Sequence, residues 1–308
     1  MDLMACRTGF LGIIFGLTPF TSFNQEISDS LIIPVGDSMV VADTVKGKKY
    51  RSVKPFSFIT NVPGDLFRVA KAPFQKKNLK SLAIIGGTTT VLLLLDDAII
   101  KSAGNTFKKL GIEQQESFTN LIGIGKIHFF KAPGNINSFF YQLGEPGPTF
   151  LLAGGFYLYG KITHNTRATR TAGEITESFI TSFIATQTLK RITGRQSPNK
   201  ATVPGGVWHW FPSLSDYNKN VTNYIAYPSG HMAAMTSVVT VIAQNYPEKK
   251  WIKPVGYTLI GLTALSMLNN KAHWASDYPL GIGIGYLSAI IAHRRNQKKE
   301  MVKKVLTL

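Results

Sequence analysis

Residues 254–292 read PVGYTLIGLTALSMLNNKAHWASDYPLGIGIGYLSAIIA, two apolar runs (254–268 and 280–292) flanking a short polar stretch. Each run is long enough for a helix, and neither alternates as a half-buried strand would. Between them lie His273 and Asp277, four residues apart. On a helical turn that spacing lets the carboxylate reach the imidazole. Outward from this stretch, further apolar segments occur at 82–95, 148–160, 174–189 and 231–245, separated by Gly, Pro and charge clusters. In segment 174–189, Ile175, Phe179, Phe183 and Leu189 fall near one helical face, with Glu177, Ser182 and Gln187 elsewhere. The pattern predicts an all-α protein: a helical bundle centred on 174–189, 231–245, 254–268 and 278–292.

Two more polar stretches sit between apolar segments: KRITGRQSP over 190–198 and YPSGHM over 227–232. The second puts the hydroxyl of Ser229, the side-chain-free amide of Gly230 and the imidazole of His231 where a helix begins. Unpaired backbone donors and the positive end of the helix dipole suit that place to a phosphate oxygen. A carboxylate on one nitrogen of His273 fixes its tautomer and leaves the other nitrogen free to attack phosphorus. Lys190 supplies positive charge for the charge that develops in the transition state. Together these residues suit phosphoryl transfer without a metal, with one histidine as nucleophile and the other as acid.

The three stretches resemble the three-part signature of the type 2 phosphatidic acid phosphatases. That superfamily includes lipid phosphatases, bacterial class A acid phosphatases and vanadium haloperoxidases. Its motifs are Lys-x6-Arg-Pro, Pro-Ser-Gly-His and Ser-Arg-x5-His-x3-Asp. The second is complete here, the third matches at Ser266, His273 and Asp277, and the first at Lys190 and Pro198. The resemblance covers roughly 145–292 and implies motifs converging at one end of the bundle. It makes His273 the nucleophile that forms a phosphohistidine, Asp277 its orienting partner and His231 the acid for the leaving alcohol. Lys190, Ser229 and Gly230 would bind the phosphate oxygens, with neither metal nor other cofactor. The chain departs from the pattern at Ser197 and Met267, where the family has arginines. Neither residue reproduces a bidentate guanidinium, and one lost transition-state donor costs about 100- to 1000-fold in rate. Arg195, two residues before Ser197, is a possible source of replacement charge.

Lys and Arg number 34 against 17 Asp and Glu, a formal net charge of +17. The excess fits a phosphorylated lipid, a small phosphate ester or an anionic membrane surface. Nucleic acid is not expected, because no zinc-finger spacing, RNP motif or basic heptad region accompanies the charge. Residues 1–23, with Arg7 and a short apolar run, read as a signal peptide or a first apolar segment. The lone Cys6 lies there, so a processed chain has no disulfide or thiolate site. Residues 24–80 read as an irregular region outside the bundle, with turn signals at Pro34-Val-Gly36 and Pro63-Gly64 and basic residues Lys46, Lys48, Lys49 and Arg51. The phosphatase-like helical domain is placed at 81–295 and a basic tail at 296–308. Segments 254–270 and 278–292 are the best candidates for membrane spans, with buried core helices as the alternative, and Asp96 and Asp97 read as the end of a first helix. His128, His164 and His293 read as surface or core residues, and the loop Val207-Trp-His-Trp-Phe211 as an edge of the substrate entrance. The expected activity is phosphomonoester hydrolysis in the cell envelope, facing the periplasm. The alternatives are a phosphatase-fold protein that binds a phosphorylated lipid or a protein without hydrolysing it, and vanadate-dependent halide oxidation.

Overall fold

The computed structural model describes residues 56–114, 116–124 and 127–306. The signal-peptide reading of 1–23, the turn at 34–36 and the basic cluster at 46–51 lie outside the described residues. Among the described residues there are nine helices and one two-stranded sheet, so the all-α expectation holds.

In chain order the helices are α1 (Ser57–Lys71), α2 (Leu79–Lys109), α3 (Ile136–Gln142), α4 (Pro146–Ile162), α5 (Thr166–Thr193), α6 (Leu214–Lys219), α7 (Gly230–Asn245), α8 (Ile252–Asn269) and α9 (Tyr278–Leu306). A hairpin of β1 (Phe118–Ile124) and β2 (Ile127–Pro133) links α2 to α3. It escapes a search for alternation because its register shifts between Asn120 and Gly123. An irregularity of this kind breaks the period of two.

Helix α5 is central, packing against α1, α4, α7 and α9. Asn165 starts it by accepting from the Ala168 amide at 3.0 Å, and Gly194, at φ 52°, ends it in the left-handed region. A side chain is strained there, and a Cβ on Gly194 would also collide with the His209 carbonyl. The inward face of α5 is polar rather than apolar: Glu174, Ser178, Ser182, Thr186 and Lys190 recur every four residues and all are buried. Phe183, assigned to the inner face from the sequence, is 46% exposed. The apolar core lies beyond this stripe, in Met232, Met235, Val239, Ile260, Met267 and Ile282 of α7, α8 and α9.

Three features differ from the sequence reading. Residues 57–71 form a regular helix through Pro63 and Gly64, and that helix belongs to the bundle. Buried Val62, Asp65 and Val69 share one face, Asp65 pairs with Arg295, and Asn61 donates to Glu177 at 2.8 Å. Tertiary contacts therefore override the turn signal. Helix α2 does not end at Asp96 and Asp97 but runs on to Lys109, with Asp96 fully buried. The membrane-compatible helix also differs. In α9, Ile282, Ile284, Tyr286, Ala289 and Ile290 are core residues. Among the described residues one helix, Lys76–Lys109, is long and apolar enough to cross a membrane, and only 17% of its most apolar window is buried. Helix α4 adds exposed Phe150, Leu151, Leu158 and Ile162.

Candidate active site

The antiparallel run of α5, α7, α8 and α9 brings the C-terminal end of α5, the start of α7 and the α8–α9 turn to one end of the bundle. Ser229 caps α7, its side chain accepting from the Met232 amide at 3.4 Å. Its own amide donates to the Asp277 carbonyl at 2.9 Å, joining the second motif to the third. The first motif is stitched in as well: the Asn199 amide donates to the Lys271 carbonyl at 3.0 Å. Trp274 Nε1 donates to the Gln196 carbonyl at 2.8 Å.

His273 is buried, with Nδ1 3.3 Å from Asp277 Oδ2. Asp277 is fully buried; its Oδ2 also accepts from the Trp274 amide at 2.8 Å. Its other oxygen accepts from Arg195 at 2.7 Å. Assigned from these partners, the proton of the imidazole sits on Nδ1 and the lone pair on Nε2. Burial pushes the imidazole down to about 4, against the opposing pull of Asp277. The ring is therefore neutral at ordinary pH.

His231 faces His273 with ring centroids 5.7 Å apart and planes at 71°. On its other side are Tyr141, at 4.6 Å between ring centroids, and Glu145, whose Oε1 is 3.3 Å from His231 Nε2. The pair is within ion-pair distance but not aligned as a hydrogen bond, since Nε2 has no hydrogen-bond partner among the described residues. Burial raises the Glu145 carboxyl, but His231, Lys131 and Lys190 outweigh it and hold the group below its ordinary value. Glu145 thus gives an imidazolium a counter-charge.

Lys190 is buried beside the start of α7, its Nζ 3.6 Å from where a Cβ on Gly230 would lie. Burial lowers its ammonium to about 8, with Asp277 and Glu145 pulling the other way. A buried cation at a helix N-terminus is a ready oxyanion site.

The remaining expected site residues fall elsewhere. Arg195 is fully buried behind Asp277, bonding Asp96 Oδ2 at 2.7 Å, Ser276 Oγ at 2.6 Å and the Gly205 carbonyl at 2.8 Å. Its guanidinium lies over the rings of Trp208 and Trp274. All this spends its donors on protein groups and makes it a support for Asp277. Ser197 is buried in the connecting loop, its amide donating to the Thr222 carbonyl at 3.0 Å. Met267 is fully buried in the apolar core, with Sδ 3.7 Å from Ser229 Oγ. Three contributors escape the motif reading: Asp96, Tyr141 and Glu145. For Asp96 the signal was a carboxylate inside an apolar run, which is buried only when paired.

Residues 172–301, which carry all three motifs, match the PAP2 superfamily. Lipid A 1-phosphatase from Porphyromonas gingivalis is 36% identical over 63 residues, covering 20% of this chain and 14% of that relative's length. No solved structure matches significantly.

Proposed function

We propose that this protein hydrolyses phosphomonoesters, with a phosphorylated lipid as substrate class, through a phosphohistidine on His273. The observation that carries this reading is the buried line Asp96–Arg195–Asp277–His273, aimed at a site also faced by His231 and Lys190. The PAP2 match and the relative's name support a phosphatase in general.

The chemistry runs in two steps. His273 Nε2 attacks phosphorus, the P–N bond forms, and the P–O bond to the alcohol breaks. His231 passes its proton to the departing oxygen. A water then attacks phosphorus and gives its proton to His231. The P–N bond breaks, its electrons return to Nε2, and inorganic phosphate leaves. Lys190 and the α7 amides balance the negative charge on the equatorial oxygens.

Exposed Trp210 and Phe211, 62% and 73% accessible, extend an aromatic edge from the loop bonded to Gly194. Such an edge suits a substrate presented at a membrane. Both ends of the bundle carry lysines: Lys76, Lys77, Lys80, Lys249, Lys250 and Lys253 lie remote from the histidines, and Lys108, Lys109, Lys200, Lys219 and Lys271 lie at the histidine end.

A second reading, a protein that binds the phosphorylated lipid without hydrolysing it, is favoured by Met267 lying in the core and Arg195 being committed to carboxylates. Phosphate release from a phosphorylated lipid in micelles and from p-nitrophenyl phosphate, wild type beside His273→Ala, separates the two. Release by wild type alone supports hydrolysis. No release by folded wild type favours binding.

A further inference from the structure

We infer a second lipid site, separate from the histidines, that takes one acyl chain of an anionic phospholipid between α1, α2, α5 and α9. A cavity of about 550 Å³ lies there, lined by Leu66, Val69, Ile85, Leu189, Leu280 and Ile284 among others. Its size falls in the range of sites for small amphiphiles, about 300–1,000 Å³. Its lining is almost entirely apolar, so a polar ligand would lose hydration there without recompense. The inference rests on the reading of α2 as membrane-facing, and α2 forms one wall.

Two features identify the occupant. The first is charge. Lys71, Lys76 and Lys80 are exposed and Lys77 half-buried on the segment that forms the cavity's rim, interleaved with lining residues Ala70, Ala72, Pro73, Asn78 and Ser81. Arg294 lies near Lys77. Basic residues beside a membrane surface attract anionic head groups.

The second feature is Asn78. It is 6% exposed and lines the cavity, and its Nδ2 donates to the Ala72 carbonyl at 2.7 Å, which fixes the amide's orientation. Its Oδ1 is buried with no hydrogen-bond partner among the described residues. Leaving a buried acceptor unpaired costs the desolvation of that oxygen. A ligand bearing a hydroxyl or amide N–H next to its chain would satisfy it, and a glycerol head group supplies hydroxyls.

This site is not the phosphate subsite. Along α2, Lys80 and Asp96 are separated by about 24 Å of helix axis at 1.5 Å per residue. Asp96 is the residue that holds Arg195 behind the catalytic pair. A lipid headed on the lysines therefore enters from the end away from His273.

The test is native mass spectrometry of the full chain in detergent, titrated with dioleoylphosphatidylglycerol and separately with dioleoylphosphatidylcholine. Wild type and His273→Ala should retain phosphatidylglycerol equally and prefer it over phosphatidylcholine. Lys76→Glu/Lys80→Glu, a surface change, should weaken that binding at least tenfold. Ala185→Phe, which fills the cavity, should weaken both lipids, with circular dichroism checking its fold. Binding unchanged in both variants, or no preference between lipids, would overturn the site. So would loss in His273→Ala alone, which would mean occupancy of the catalytic end. Phosphatidylglycerol binding by a chain that releases no phosphate would sink the hydrolysis reading and leave this site standing.

Discussion

Replacing Arg195 by Met tests whether this guanidinium binds phosphate or holds the catalytic carboxylate. Arg195 is inaccessible to solvent and bridges two equally buried carboxylates, Asp96 and Asp277, at 2.7 Å each. Met fills much of the volume but leaves both acids without their cation. Removing one partner of a buried ion pair destabilises by about 3–5 kcal/mol. At about 2–4 °C per kcal/mol for a domain of this size, the melting temperature should fall by about 6–20 °C. Asp277 would keep the Trp274 amide as a donor and lose its anchor on Oδ1. The displacement passed to His273 should lower kcat about 100-fold, the cost of a misplacement near 1 Å. KM should change little, because Arg195 is committed to protein groups. The assays are thermal melting by circular dichroism and steady-state phosphate release on the same preparation. A variant that melts like wild type and shows only a raised KM would refute this account and make Arg195 a phosphate ligand.

Other consequences are open to direct measurement. Activity should fall as pH drops through about 4, where His273 takes a proton, and again as pH rises through about 8, where Lys190 loses its charge; a kcat/KM profile from pH 3 to 10 reads both limbs. Because His273 is depressed from its ordinary value of 6.5, its stability contribution is full above 6.5 and lost as pH falls toward 4. His273→Ala should remove this component from the pH dependence of melting. Gly144→Ala should cut kcat about 100-fold and also lower the melting temperature, because the new Cβ would lie 2.6 Å from the His231 Cβ and 3.0 Å from its Cα, so that the ring and the start of α7 must both shift; activity equal to wild type would argue against His231 as the acid. Asp65→Ala should destabilise by about 1.5–3 kcal/mol, the worth of a hydrogen bond to a charged group, since it removes one of the two carboxylates on Arg295 and leaves Glu177 as the other; urea unfolding measures it.

The sequence by itself determined the helical class and the pairing of His273 with Asp277. Both follow from short-range periodicity: apolar runs that no strand pattern fits, and a four-residue spacing that one helical turn converts into contact. The Pro-Ser-Gly-His start of α7 was legible for the same reason, because a helix cap is written in adjacent residues. Where contacts join distant segments, local reading went astray. Pro63-Gly64 signals a turn to a reader of neighbours, yet α1 runs through it because Asp65 and Asn61 are bound to Arg295 and Glu177 far along the chain. Asp96 looked like a helix terminus because a carboxylate in an apolar run has no local partner; its partner, Arg195, lies 99 residues away. Arg195 looked available for phosphate until packing enclosed it between two acids. Tertiary structure alone decided which charges face the proposed site and which lie behind it. A charge in low dielectric is governed by whatever lies within a few ångströms, and the chain order does not record that distance.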